Sequence, residues 1–258
     1  MKSLQRAIDL LISFETHTLL SVEEMAATMG WPRSSVYRFV RILRERRLLS
    51  LDPQSKKYRI GPLLYELGRA AGPDLCELAR AALEKLTEES GESSFLSMRS
   101  GWETRYAVSV ESPERIHFTA PLGKAVPLYA GASARVILAF METEEQRMYI
   151  RSVRLKRLCT ATIQDKRKLE QSLLLIRRRG YAFTQEELYR GAWGLAAPIL
   201  DQDGVAIASV AITGVRFRSP QKKLPQFISM IREAAQELSE KLTKSRALET
   251  LVSRRTGS

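Results

Sequence analysis

The sequence predicts an α+β chain in which a winged helix-turn-helix precedes a domain built on an antiparallel sheet. Three observations carry this. A capping box and a glycine stop frame two short helices before residue 46. Two short extended runs then surround a polar basic loop at 52–57. Beyond residue 91, strand-like runs and short helices alternate between two longer helical stretches.

Ser3 heads a predicted helix whose apolar positions Leu4, Ala7, Ile8, Leu11 and Phe14 recur at helical spacing. Ser21 and Glu24 form a capping box, in which each side chain satisfies the other residue's free amide. The helix they open turns Val22, Met25, Ala26 and Met29 inward, and Gly30 suits the left-handed position beyond its end. Pro32 has no amide hydrogen and fits a helix start. After it, Val36, Phe39, Val40 and Leu43 form a second inward stripe. Residues 48–51 and 58–61 are the arms of a hairpin, the wing. Residues 62–71 read as a connecting helix with Leu63, Leu64 and Leu67 on one side, and Gly72-Pro73 divides domain 1–72 from domain 73–258.

The second domain opens with a helix that turns Leu75, Leu78, Ala79, Ala82, Leu83 and Leu86 inward and stops at Gly91. Strands are expected at 94–98, 104–110 and 115–120, and a short helix at 133–141. Thr143 with Gln146 is a predicted capping box, and Asp165 caps a helix that ends at Gly180. Strands at 195–200 and 205–213 flank Asp201-Gln202-Asp203-Gly204, where Asp-Gly supports a tight primed turn. A closing helix over 225–251 turns Phe227, Ile231, Ala235, Leu238 and Leu242 inward.

Composition narrows the function. The chain has 258 residues, 44% apolar and 27% charged, which suits an ordinary soluble core. Its net charge of +12 favours an anionic partner such as nucleic acid, acidic lipid or an acidic metabolite, without choosing among them. Acidic residues from Asp9 onward interrupt any leader-like segment, and the uncharged run 204–215 is far short of the ~20 residues of a membrane span. No membrane partner is expected, and a reducing cytoplasm is the expected compartment. Cys76 and Cys159 stand far apart, and His17 and His117 are the only histidines. Without G-x-S-x-G, H-E-x-x-H, Walker or dinucleotide motifs, no catalytic residue, metal ligand set or cofactor is expected.

Opposite the core stripe of the helix after Gly30 stand Ser34, Tyr37, Arg38, Arg41 and Glu45, at steps of three and four. Such a face can enter a major groove, where arginine pairs bidentately with guanine, and Arg33 with the helix-start amides can hold a phosphate. Residues 33–59 carry nine cations against Glu45 and Asp52, a net +7. Lys56 and Lys57 at the hairpin tip would reach the flanking backbone of double-stranded DNA. A solvated basic helix accounts for the charge, but not for the capping box, Gly30 and the wing together.

These residues carry a resemblance. Ser3-Leu-Gln-Arg-Ala-Ile8, Gly30-Trp-Pro-Arg-Ser-Ser-Val-Tyr-Arg38 and Tyr58-Arg-Ile-Gly61 resemble the N-terminal domain of the IclR family of bacterial transcription regulators. The likeness continues in order through Pro127-Leu-Tyr-Ala130, Thr160-Ala-Thr162, Arg179-Gly-Tyr-Ala182, Glu186-Glu187, Gly191 and Ala196-Ala-Pro-Ile199. It implies a winged helix joined by a linker helix to a GAF-like effector-binding and oligomerisation domain. It also implies a homodimer or homotetramer on a promoter operator, responding to a small organic-acid or aromatic effector. By the same resemblance Arg33, Ser34, Ser35, Tyr37 and Arg38 are recognition-helix contacts; helical spacing adds Arg41.

The resemblance places the effector pocket between the sheet and the loop Tyr129-Ala130-Gly131-Ala132-Ser133. Small residues there admit a ligand to helix-start amides, although a tight turn packed with small residues accounts for them equally well. The family's Gly-x-x-Cys-hydrophobic-Ala-Ala-Pro segment reads here as Gly191-Ala-Trp193-Gly194-Leu195-Ala-Ala-Pro198, and its usual Gly-Lys reads as Ala134-Arg135. Phe95, Tyr106, Leu128, Leu195, Ser209 and Ala211 are candidate wall residues, each of which also suits plain core. A second basic run, 147–179, holds eleven cations against Asp165 and Glu170, a net +9; it reads as solvated helix faces, or as a contact to more DNA or an acidic partner. The leading function is a ligand-responsive regulator, expected to be a repressor. The alternatives are a constitutive architectural DNA binder and an enzyme with a DNA-binding appendage.

Overall fold

The computed structural model describes residues 2–15, 17–70, 75–218 and 220–256, with side chains omitted at 2, 15, 69, 70 and 245–256. The chain divides into two compact units, 1–72 and 73–258. The punctuation at Gly72-Pro73 lies outside the described residues.

In the first unit, α1 (Lys2–Ile12) already includes Ser3, so this serine sits in its first turn and not ahead of it. The inward face also differs from the expected one: Leu10 and Phe14 are buried while Leu4, Ile8 and Ile12 are exposed. Apolar residues occupy two overlapping helical stripes in α1, and only the one through Leu10 meets α2 (Val22–Met29) and α3 (Arg33–Glu45). Both halves of the Ser21–Glu24 capping box form, at 2.7 and 3.2 Å, and Gly30 takes the left-handed conformation at φ 64°. Val36, Phe39, Val40 and Leu43 face the core as the spacing predicts.

The wing pairs β1 (Leu49–Leu51) antiparallel with β2 (Tyr58–Ile60), and Leu20 bridges to Tyr58 on the other side. Gly61 is required here: an added Cβ would overlap the Arg47 carbonyl oxygen, whose residue is itself left-handed at φ 60°. The linker helix α4 (Pro62–Ala70) leaves Leu67 exposed instead of inward.

The second unit begins with α5 (Leu75–Ser90) and continues through β3 (Ser93–Ser100), β4 (Glu103–Val110) and β5 (Ala125–Pro127). The strand expected at 115–120 does not form. Arg218 donates to the Ile116 carbonyl at 2.7 Å, and Phe118 packs against Phe95 and Tyr189. Of the alternating apolar positions there only Phe118 and Ala120 turn inward while Ile116 is exposed, and 125–127 pairs with β4 instead.

Next come α6 (Ala132–Ala139), buried along its whole length, and α7 (Thr143–Ser152). The capping box at Thr143 is absent: Gln146 instead donates to the Leu138 and Ala139 carbonyls at the end of α6. In α8 (Lys166–Arg179) Asp165 does cap, accepting from the Lys168 amide at 2.8 Å, and Gly180 is left-handed. β6 (Ala182–Gln185), β7 (Ala192–Leu200) and β8 (Ala206–Val215) follow, then α9 (Leu224–Thr256). The β7–β8 connection is not a two-residue primed turn. Asp201 pairs with Val205 and Gly204 alone is left-handed, the signature of a three-residue loop with a bulge.

Among the described residues these strands make one antiparallel sheet in the order β5-β4-β3-β8-β7-β6. α5 and α9 cover one face, and α6, with α8 beyond it, covers the other. The strand period of two thus divides the sheet into two cores. No helix among the described residues is long and apolar enough to cross a membrane.

Candidate functional site

On the first unit, α3 presents Arg33, Ser34, Tyr37, Arg38 and Arg41 to solvent, while Ser35 is half-buried. Two of the arginines hold only loose surface partners, Arg33 with Glu23 at 3.8 Å and Arg41 with Glu45 at 3.7 Å. Such pairs are worth about 0–1 kcal/mol and hold these guanidinium groups only weakly. Tyr37, Arg38, Arg41 and Arg44 line an open groove that Tyr58 of the wing closes. Arg44, three residues beyond Arg41, belongs to this face and was legible from the same spacing.

The two wing lysines differ. Lys56 is exposed at the tip in a left-handed conformation, and the Asp52 carboxylate shapes the turn by accepting from Ser55. Lys57 instead donates to Glu24 at 2.6 Å, joining the wing to the start of α2. The Lys57 bond, then the Ser21 amide, hold the Glu24 carboxyl below its usual range.

In the second unit a cavity of about 40 Å³ lies between the sheet and the start of α6. Gly131 precedes the helix at φ 79° and accepts the Arg135 amide, so the amides of Ala132, Ser133 and Ala134 are the free first-turn donors. Across the sheet, register sets Thr184, Gly194 and Thr213 side by side on β6, β7 and β8. A Cβ at Gly194 would stand 3.4 Å from the Thr213 hydroxyl and 3.5 Å from Ala132. Phe95 and Tyr106 form a second wall, packed edge to face at 4.9 Å. Burial, with Tyr189 nearby, holds the Tyr106 phenol well above the ordinary tyrosine range.

Two carboxylates border this space, each already matched to an arginine. Glu186 takes Arg216 and the Gly191 amide, and Glu187 takes Arg135 at 2.8 Å. The Arg135–Glu187 pair is buried, with side chains 5% and 11% exposed. Burial nevertheless keeps the Glu187 carboxyl above its usual range, against the pull of Arg135 and the Gly131 amide. The Thr160-Ala-Thr162 motif positions this segment: the Thr162 hydroxyl donates to the Glu187 carbonyl at 2.6 Å and accepts the Leu158 and Cys159 amides. Helix-start amides and hydroxyls therefore face the cavity, while the lining charges are already neutralised.

The IclR helix-turn-helix domain model matches residues 3–53, and the bacterial transcriptional regulator IclR C-terminal model matches residues 70–240. The chain belongs to the IclR family. Among IclR-family relatives it is similar to the transcriptional regulator KipR of Bacillus subtilis, 31% identical over 93% of this chain and 97% of that one. The solved IclR of Thermotoga maritima is 31% identical with a TM-score of 0.64, covering 94% of this chain and 99% of that chain. An IclR homologue from Microbacterium hydrocarbonoxydans, solved in complex with 4-hydroxybenzoate, shares the fold at 22% identity and a TM-score of 0.76, over 93% and 98% of the two chains. The chain is a transcriptional regulator of the IclR type.

In this IclR fold seven of the residues singled out in the sequence border the cavity: Phe95, Tyr106, Ala130, Gly131, Ala132, Trp193 and Gly194. Five stand away from it. Leu195 follows Gly194 on β7, so it points to the opposite core, where the ring of Trp193 also stacks near Phe227. Ser209 and Ala211 share the face of Thr213 but lie beneath α6, Ser209 donating to the Ser133 carbonyl. Leu128 is core, and the Tyr129 hydroxyl turns away to the backbone of Lys156. Sequence reasoning missed Thr184 and Thr213, neighbours of Gly194 visible only once strand register is known. It also missed Glu187 as a wall residue, although the Glu186-Glu187 motif marked the segment.

Proposed function

We propose that this chain is an effector-responsive repressor that binds operator DNA through residues 1–72 and binds its effector and oligomerises through residues 73–258. The recognition surface comprises Arg33, Ser34, Ser35, Tyr37, Arg38, Arg41 and Arg44, with Lys56 on flanking phosphate and Lys57 holding the wing in place. The exposed stripe Leu4, Ile8 and Ile12 on α1 adds a second contact surface, on residues 1–72, to a homodimer or homotetramer assembled through residues 73–258.

One observation carries the effector reading: the free amides at the start of α6 open on a cavity lined by hydroxyls and small residues. A carboxylate suits that end of a helix. The 4-hydroxybenzoate held by the Microbacterium homologue is of this class. A cavity of about 40 Å³ is a few times the ~10–15 Å³ that one water needs, which favours a compact organic acid over a bulky aromatic one. Calorimetry of the full chain against glyoxylate, pyruvate, succinate and 4-hydroxybenzoate tests this. Saturable binding of a short acid, abolished by Gly194→Val, is expected. Undiminished binding in Gly194→Val would place the ligand elsewhere, and binding of none would favour a constitutive DNA binder.

A further inference from the structure

The cationic side chains of the basic run 147–179 have no part in either surface described so far. It ends on Arg177, Arg178 and Arg179, the last turn of α8, and Arg232 and Lys244 of α9 line the same groove. This groove, of about 610 Å³, lies within the roughly 300–1,000 Å³ typical of small-molecule sites and shares no residue with the cavity at α6. Ala197, Pro198 and Leu200 give it an apolar floor.

Its charges are unevenly engaged. Five cations face Asp201 and Glu240, a net +3. Both carboxylates already have partners: Asp201 accepts the Asp203 and Val205 amides at 3.0 and 2.9 Å, and Glu240 accepts from Gln236 at 3.0 Å. Arg177 donates to the Met141 carbonyl and lies over the Phe140 ring. Arg178, Arg179, Arg232 and Lys244 have no carboxylate within ion-pair distance among the described residues. Cations favour a helix C-terminus, which accounts for the end of α8. It does not account for Arg232 and Lys244, which come from the middle of another helix. The Arg232 guanidinium lies beside Gly180, with Nε 3.6 Å from the place of an added Cβ.

We infer that this groove is a second ligand site, for a small organic polyanion carrying two or more phosphate or carboxylate charges. Guanidinium groups match both anions bidentately, and the apolar floor accommodates the carbon body between the charged ends.

Titration calorimetry of the full chain with pyrophosphate and with citrate tests the inference. Saturable binding of at least one, at one per chain and weakening with salt, is expected. Pyrophosphate alone would assign the site to phosphates, and citrate alone to carboxylates. Arg178→Ala with Arg232→Ala should raise Kd at least tenfold, and Gln236→Glu should raise it as well. Arg147→Ala, a cation outside the groove and paired with Glu144, should leave it unchanged. Failure of both anions to saturate, or an equal loss in Arg147→Ala, overturns the inference. So does a double variant that only flattens the salt dependence of DNA binding or only shifts the oligomeric state.

Discussion

Arg135 and Glu187 illustrate how one residue pair holds the cavity's border. The Arg135 Nε and Nη1 groups and the Glu187 Oε2 atom are buried without hydrogen-bond partners among the described residues, so Arg135 and Glu187 meet through one 2.8 Å contact, with the Gly131 amide also on the carboxyl. Removing one partner strands a buried charge, and Arg135→Ala should cost about 3–5 kcal/mol in urea unfolding. Replacing both, with Arg135→Met and Glu187→Leu, should cost less than the single change. The pH dependence has a definite sign. The folded-state pKa of Glu187 lies above its ordinary 4.5, so its contribution falls as pH rises through the folded value. Without Arg135 the carboxyl is raised further, and the deficit of Arg135→Ala should widen as pH rises above the ordinary carboxylate range. A deficit flat with pH would mean that Glu187 does not ionise in place. Gly61 is a simpler case: Gly61→Ala must move the Arg47 carbonyl, and a loss of about 2 kcal/mol or more is expected.

At the level of elements, the wing separates two roles that the sequence could not distinguish. Adjacent lysines in a polar loop look alike, but Lys57 reaches Glu24 across 33 positions of sequence. Lys56→Ala should weaken binding to all DNA sequences and reduce the salt slope by about one. Glu24→Gln separates the two roles of Lys57. If Lys57 anchors the wing, operator affinity falls; if it is a phosphate contact, its release from Glu24 strengthens binding. Arg38→Ala should cost affinity unevenly across operator sequences, and a uniform loss would make Arg38 a backbone contact. Helix caps at Ser21 and Asp165 were legible because their partners lie three residues away. Residues 115–120 were not, because an alternating apolar pattern says nothing of backbone pairing. Gln146 was misread for a related reason, since its partners lie on the preceding helix.

For the whole molecule, the net charge of +12 conceals three populations: the exposed face of α3 with the wing, a groove between α8 and α9, and solvated helix faces. The exposed basic face of α3 could be traced in sequence because it lies on a single helix with fixed spacing. The cavity could be traced only in part, because it joins β6, β7, β8 and the start of α6, and register decides which side each residue takes. Gly194 stood out by replacing the family's usual cysteine, whereas Thr184 and Thr213 carry no signal until they flank it. Regulation then requires that the effector bind the DNA-bound and free states unequally.

The direct test of this coupling is fluorescence anisotropy on an operator selected by the chain from random DNA, titrated with the acid that binds in calorimetry. Operator affinity should fall about fivefold or more at saturation, and Gly194→Val should show no such response. An operator affinity that stays constant while the acid saturates the cavity would contradict an effector-responsive repressor.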